Sequence, residues 1–353
     1  MYLVGGDSPI VGSTEDLISY FVDACKPREN WRVGTEHEMH GVLVGDALVG
    51  MPVPYSGPRG LANILRALEA AGWHALREDD NIIALTCRDT QVSIEPGAQL
   101  EHAARPHRSS ADLEADLQSF LNFIEEPSRL IGASWISAGF RPWGTIDDVH
   151  WVPKFRYNIM REYLPRRGAL SHEMMKRTAT VQVNLDYGSE EDAQKKTRAI
   201  MAVTPMLTAL YANSPIVDGK DSGYQSYRGH IWTKMDPDRC GLLEFVFQEG
   251  EFFRQYAEWA LDVPLFFVYR DTYIPAGGMT FRQFMESGFQ GHMPTMSDWG
   301  LHLSTLFPEA RAKQYLEVRG CDANTLGMTV ALGALCAGFL YDKAACEQAI
   351  ALT

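Results

Sequence analysis

Apolar positions along the chain follow two rhythms. Leu17, Ile18, Phe21 and Val22 recur at helical spacing behind Ser13 or Thr14, either of which can cap a helix over residues 14–24. Leu61, Ile64, Leu65 and Leu68 set a second helix over 60–71, and Leu113, Leu117, Phe120, Leu121 and Ile124 a third over 110–124. Residues 195–212 and 252–261 also read as helices. Strand patterns mark residues 31–44 with a hairpin partner at 47–53, a strand-turn-strand over 81–99, and strands at 179–187 and 314–319. Residues 325–340 are apolar all round and predict a buried helix, too short and too rich in Gly and Ala to span a bilayer. Strands and helices alternate in irregular order, which predicts α+β organisation. No repeat or long linker divides residues 1–353, so one compact domain is expected.

Composition narrows the partners. The net charge of −13 repels phosphates over most of the surface, which argues against a broad nucleic-acid or membrane-binding face and requires local cations for any phosphate ligand. Residues 1–7 lack the basic and apolar stretches of a signal peptide, so a cytoplasmic location is expected. Six scattered cysteines without a CxxC pair predict reduced, mostly buried thiols.

Carboxylates recur in the strand segments. Glu36, Glu38 and His40 lie two apart and share one face of a strand, with Thr35, His37 and Met39 on the other. Taken alone, this is a strand with one wet, polar face. Glu95, Gln99 and Glu101 again stand at even separations, although Pro96-Gly97 can disturb the register, and Glu317 and Arg319 share a face further on. Three such strands brought together form an acidic cage. Its carboxylates repel one another unless hard cations sit between them, and oxygen-rich sites suit Mg2+ or Mn2+. Magnesium shares its shell with phosphate oxygens, so an acidic protein can hold a nucleotide without the Walker-type segment that this chain lacks. A metal-dependent hydrolase would use the same cage.

Residues 34–38, Gly-Thr-Glu-His-Glu, resemble the opening strand of the plant and proteobacterial type of glutamate-cysteine ligase. Residues 92–101 are similar to that family's Ser-Leu-Glu-Pro-Gly-Gly-Gln-x-Glu strand, and 176–186 to its Phe-Arg-Thr-Cys-Thr-Val-Gln-Val-Asn-Leu-Asp segment. Segments 212–215, 228–233, 260–264, 279–284 and 315–320 follow in the family's order, so the likeness covers residues 17–342. It implies a glutamine-synthetase-like α+β ligase domain, with a curved, mainly antiparallel sheet forming a funnel and helices packed outside. It also implies the reaction: ATP phosphorylates the γ-carboxyl of glutamate, and the amine of cysteine displaces phosphate to give γ-glutamylcysteine.

Carried over residue by residue, the resemblance makes Glu36, Glu38, Glu95 and Glu101 magnesium-site residues, leaving open which of Glu95 and Glu101 is the nearer ligand. Glu317 and Arg319 become catalytic residues, Glu317 also being a further metal candidate and Arg319 facing the phosphates. Arg228 and Arg177 are expected to grip the glutamate carboxylates, Gln182 and Asn184 to hydrogen-bond substrate or a metal-bound water, and Tyr227 and Trp232 to wall the amine pocket. The chain departs from the family in three places. Met39-His40 stands where the family has Lys-Phe, and Ala276 where plant members carry a regulatory Cys. The chain also stops at Thr353, where plant-type relatives continue into a helical region. A different amine acceptor, in a specialised pathway, is therefore the alternative.

Overall fold

A computed structural model describes residues 8–45 and 48–352. The stretch 1–7 and Ala47 of the expected hairpin lie outside the described residues. Fifteen strands are found among them: β1 (Val33–Leu43), β2 (His74–Glu78), β3 (Asn81–Cys87), β4 (Thr90–Ile94), β5 (Leu100–Ala103), β6 (Ala133–Ile136), β7 (Thr180–Leu185), β8 (Ile216–Val217), β9 (Lys220–Asp221), β10 (Cys240–Gly241), β11 (Phe267–Arg270), β12 (Thr272–Pro275), β13 (Phe307–Pro308), β14 (Ala310–Ala312) and β15 (Leu316–Asp322). Nine of these make one antiparallel sheet in the order β14-β15-β7-β1-β5-β4-β3-β2, with β6 pairing the far end of β1. β1 is the hub, flanked by β7 and β5 along its first half and by β6 along its second.

Twelve α-helices accompany them: α1 (Thr14–Val22), α2 (Ala62–Ala70), α3 (Ser110–Ile131), α4 (Phe155–Tyr163), α5 (Ser171–Arg177), α6 (Glu190–Leu210), α7 (Tyr227–Trp232), α8 (Phe252–Asp262), α9 (Phe281–Ser287), α10 (Met296–Leu303), α11 (Leu326–Tyr341) and α12 (Lys343–Ile350). Ser13 and Asp16 close a reciprocal capping box on α1. Ser189 caps α6, and Glu190, Glu191 and Asp192 place negative charge in its first turn, where the helix dipole favours it.

The apolar residues of the sheet pack into two cores. Val181, Val183 and Leu185 of β7 and Leu316 and Val318 of β15 join residues of α1, α6 and α8 in one. Ile83, Leu85, Val92 and Leu100 of β3–β5 join α2 and α3 in the other. Burying the odd-numbered positions of β7 turns Gln182 and Asn184 to the opposite face.

Apart from the hairpin partner of β1, the helices and strands expected from periodicity form, with shifted ends. α3 runs past Ile124 and through Pro127 to Ile131, stopping where Gly132 takes a left-handed conformation, φ 65°. The expected hairpin partner of β1 shrinks to a single bridge between Val42 and Pro52. α11 is not buried all round: Ala331, Ala334, Leu335 and Gly338 are exposed while Leu332, Gly333, Cys336 and Leu340 are covered. The cysteines are free thiols, three buried and three partly buried.

Candidate functional site

The pairing register assembles the polar face in rows. In one row Glu38 of β1 stands opposite Glu101 of β5, which stands opposite Ser93 of β4. In the next, Glu36 pairs with Gln182 of β7. In the third, Asn184 of β7 pairs with Glu317 of β15, and Glu317 with Arg311 of β14. Each strand contributes alternate residues, so acidic and amide groups meet on one side of the sheet while their neighbours fill the core. A register shift between Val318 and Cys321 interrupts the β15–β7 ladder beside Arg319.

The β4–β5 hairpin carries Glu95 at its tip. Gln99 is buried there, its amide donating to the carbonyls of Thr178 (2.7 Å) and Met175 (3.3 Å) and accepting from the Gly97 N–H (2.8 Å). A Cβ on Gly97 would lie 2.1 Å from the Lys176 carbonyl oxygen, so only glycine permits this approach of the tip to α5. Pro96-Gly97 thus leaves Glu95, Gln99 and Glu101 on one face.

Two electrostatic zones result. Burial raises the carboxyl pKa of Glu36, and the charges of Glu317 and Glu101 push it further. Burial likewise holds Glu38 well above its ordinary range, reinforced by Glu95 and Glu101, while Arg228 pulls the other way. Glu101 is raised by burial and by Glu95. Hydrogen bonds steady these groups: Asn184 Nδ2 donates to Glu36 (2.9 Å), the Thr180 N–H to Glu38 (2.9 Å) and Ser93 Oγ to Glu101 (3.0 Å).

Glu317 is the opposite case. Burial alone would raise its pKa, but Arg311, Lys313 and Arg319 hold it well below the usual carboxylate range. Arg311 is bidentate to it, Nη2 donating to Oε1 (2.7 Å) and Nε to Oε2 (3.1 Å), Lys313 lies at 3.2 Å, and Arg319 bonds both Glu317 and Gln182.

A small cavity of about 100 Å3 opens on the face and is bordered by Glu38, Glu95, Tyr157, Arg156, Arg228 and Arg319. A larger one of about 490 Å3 adjoins it, and Arg228, Trp232, Phe307 and Arg319 line both. Arg228 is buried, with one Nη donating to the Arg319 carbonyl (3.0 Å) and its Nε without a hydrogen-bond partner. Arg177, paired with Glu173 and Asp218 and stacked over Phe140, lines neither cavity. Tyr227 packs edge-on to Phe140 and also lines neither. His40 shares the alternation of Glu36 and Glu38 but is buried where β1 pairs with β6, its Nε2 unpartnered.

Sequence reasoning missed Arg311, Lys313, Arg156 and Glu309. The first two had a signal: residues 311, 313, 315, 317 and 319 are Arg, Lys, Tyr, Glu and Arg, a polar run of period two that the β14–β15 hairpin folds onto one face.

Among the described residues no group of three His, Cys, Asp or Glu side chains converges closely enough to form a ready-made metal site. The acidic zone nevertheless suits a hard cation. Its donors are carboxylate oxygens, and Glu36, Glu38 and Glu101 are held in the protonated direction by burial and by neighbouring acids, a penalty a divalent ion relieves.

The site thus sits on an open antiparallel sheet whose acidic face is edged by arginines, with helices packed behind it. In fold the chain is similar to the crystal structure of a glutamate–cysteine ligase from Francisella tularensis in complex with AMP, with a TM-score of 0.50 at 11% identity, covering 92% of this chain and 70% of that one. In sequence it is 43% identical over 333 residues to the chloroplastic glutamate–cysteine ligase B of rice, and 43% identical over 345 residues to the chloroplastic enzyme of tobacco. These alignments cover 93% and 96% of this chain but 66% and 65% of the relatives, so the chain spans about two thirds of their length. Residues 32–353 match the profile of Glutamate-cysteine ligase family 2 (GCS2), and the chain belongs to that family.

Proposed function

We propose that the protein is an ATP-dependent ligase that joins the γ-carboxylate of glutamate to the amine of cysteine through a γ-glutamyl phosphate. The observation that carries this reading is the juxtaposition on one face of an under-compensated acidic zone, Glu36, Glu38 and Glu101, with a cationic zone formed by Arg228 and Arg319. A carboxylate is a poor acyl electrophile, and transfer of a phosphoryl group supplies the leaving group. Such transfer is promoted by alignment and charge screening rather than by a covalent enzyme intermediate.

Glu36, Glu38 and Glu101 would hold Mg2+ or Mn2+, with Glu95 at the edge of the set. The ion, when bound, screens the phosphate charges. The remaining work falls to the chain's own side chains. Arg319, fixed by Glu317 and Gln182, presents a guanidinium to the developing phosphate charge. Glu317 acts through Arg319 and Lys313 and is a positioning residue. Arg228 and Arg156 border the small cavity and offer forks that fit a carboxylate in two bonds. In this arrangement Gln182 steadies Arg319 and Asn184 steadies Glu36.

A larger amine acceptor is the second reading. It is favoured by the 490 Å3 cavity beside the site, a volume in the range of drug-sized ligands and generous for cysteine. The test is ADP release by the purified protein with magnesium, ATP and glutamate, each amine being added in turn. Cysteine-dependent release with γ-glutamylcysteine formed supports the first reading, and release only with another amine supports the second. Silence with every amine overturns both.

A further inference from the structure

The 490 Å3 cavity reaches from the shared wall of Arg228, Trp232, Phe307 and Arg319 outward to a rim where Tyr224 and His230 stack, centroids 4.2 Å apart at 22°. Its lining is largely apolar. Glu309 contributes the one carboxylate among the lining residues. The backbone pins this residue from both sides: its N–H donates to the Gly241 carbonyl (3.0 Å) and its carbonyl accepts from the Arg319 N–H (3.2 Å). Gly320 makes room for the side chain, since a Cβ there would fall 2.7 Å from Glu309 Oε2. Arg228 and Arg319 lie near enough to favour the charge of the Glu309 carboxylate, but among the described residues neither forms a salt bridge or side-chain hydrogen bond with it. A partly buried carboxylate that lines an open, largely apolar cavity together with the phosphate-facing arginine, and is fixed by no direct partner, is available to a cationic group that arrives from outside. The buried, unpartnered Nε of Arg228 in the same wall is a second polar group left for a ligand.

We propose that this cavity is the entry and binding site of the amine acceptor, and that the Glu309 carboxylate binds its ammonium group and takes a proton from it. The proposal rests on the ligase reading above. The ligand class is a primary amine with an apolar or planar body, which the Tyr224–His230 rim would cover. An ammonium nitrogen has no lone pair, so it must lose a proton before it attacks. Glu309 accepts that proton, and the freed amine attacks the acyl carbon of the γ-glutamyl phosphate. The C–N bond forms, and the C–O bond to phosphate breaks with its electron pair leaving on the phosphate. The second proton lost from nitrogen passes to the departing phosphate, and the first leaves Glu309 through the open cavity.

The experiment compares cysteine, or whichever amine supports turnover, with hydroxylamine, a small nucleophile that is uncharged at neutral pH and needs no ammonium site. ADP release and product are followed for the wild type, Glu309→Gln, Glu309→Asp and Tyr224→Ala. Loss of a hydrogen bond to a charged group predicts that Glu309→Gln lowers the ratio of amine to hydroxylamine kcat/KM about ten- to a hundredfold, mostly through KM. Glu309→Asp recovers part of that ratio. Tyr224 is exposed at the rim, so Tyr224→Ala tests the cavity independently of any folding defect at Glu309, and it too lowers the ratio. An unchanged ratio in Glu309→Gln and Tyr224→Ala, whether both nucleophiles are handled normally or both are lost equally, overturns the proposal. Absence of glutamate-dependent ADP release from the wild type with either nucleophile overturns the ligase reading itself, and this one with it.

Discussion

The two kinds of buried carboxylate in this site call for opposite responses to mutation. Glu317 is compensated by three cations, so removing its charge strands Arg311, Lys313 and Arg319 in a buried setting. Glu36 and Glu38 are under-compensated, and neutralising either relieves repulsion. Glu36→Gln and Glu38→Gln are therefore expected to abolish turnover while leaving the melting temperature in EDTA unchanged or higher. Glu317→Gln is expected to lower it by an amount equivalent to about 3 kcal/mol or more. Thermal melts in EDTA paired with ADP assays decide this, and a large drop in melting temperature for Glu38→Gln would contradict it. The acidic residues were legible because alternation on a strand is a strong periodic signal. Arg311 was not, because β14 has only three residues and its alternation shows only once the hairpin to β15 is known. Arg177 illustrates the converse: it occupies a matching motif position, but its guanidinium is taken up by Glu173, Asp218 and the Gly144 carbonyl.

Elements, more than single residues, decide whether the carboxylates meet. The β4–β5 hairpin is fastened to the segment before β7 by Gln99, whose amide spans to Thr178 and Met175. Gln99→Ala leaves those carbonyls and the Gly97 N–H unpaired, at a cost of about 1–3 kcal/mol. It also frees the tip that carries Glu95, so kcat/KM for glutamate is expected to fall more than stability alone explains. Denaturant melts and steady-state kinetics on one preparation test this, and unaltered kinetics would refute it. Segments with a clear period were legible as elements, while their ends were set by caps and tertiary contacts. The α3 C-terminus needed Gly132, and β6 was hidden because its four residues gain their order from pairing with β1. For α11, composition gave an apolar helix but could not say which side the rest of the chain would cover.

Across the whole molecule, four buried histidines set a response to acid. Burial lowers His37 and His102 to about 4 and His40 and His302 to about 3. These groups are neutral in both states above pH 6.5. Below it the unfolded chain takes up protons that the native one refuses, so stability falls as pH drops toward 4, by roughly 1.4 kcal/mol per group per pH unit. Glu36, Glu38 and Glu101 act in the other direction: their raised native pKa values give stability at low pH that is lost as pH rises through them. A divalent ion bound by these carboxylates, as proposed above, would offset that loss at neutral pH. The melting temperature should therefore rise on adding magnesium at pH 7.5 and hardly at pH 5, and its fall with acid should be steeper with the ion than in EDTA. Equal shifts at both pH values would refute the acidic zone as the ion's site.

The central place of β1 also has a consequence for how the protein is made. Glu36 and its hydrogen-bonding partner Asn184 are 148 positions apart. At ribosomal speeds that interval is roughly seven to thirty seconds. During that time β1 can pair with β5, and with β6 along residues 40–43, while the stretch 33–37 that awaits β7 stays open to neighbouring nascent chains on the same message. Expression yield should thus depend on chaperones that shield unpaired strands, and on slower translation downstream of β7 far less than upstream of it.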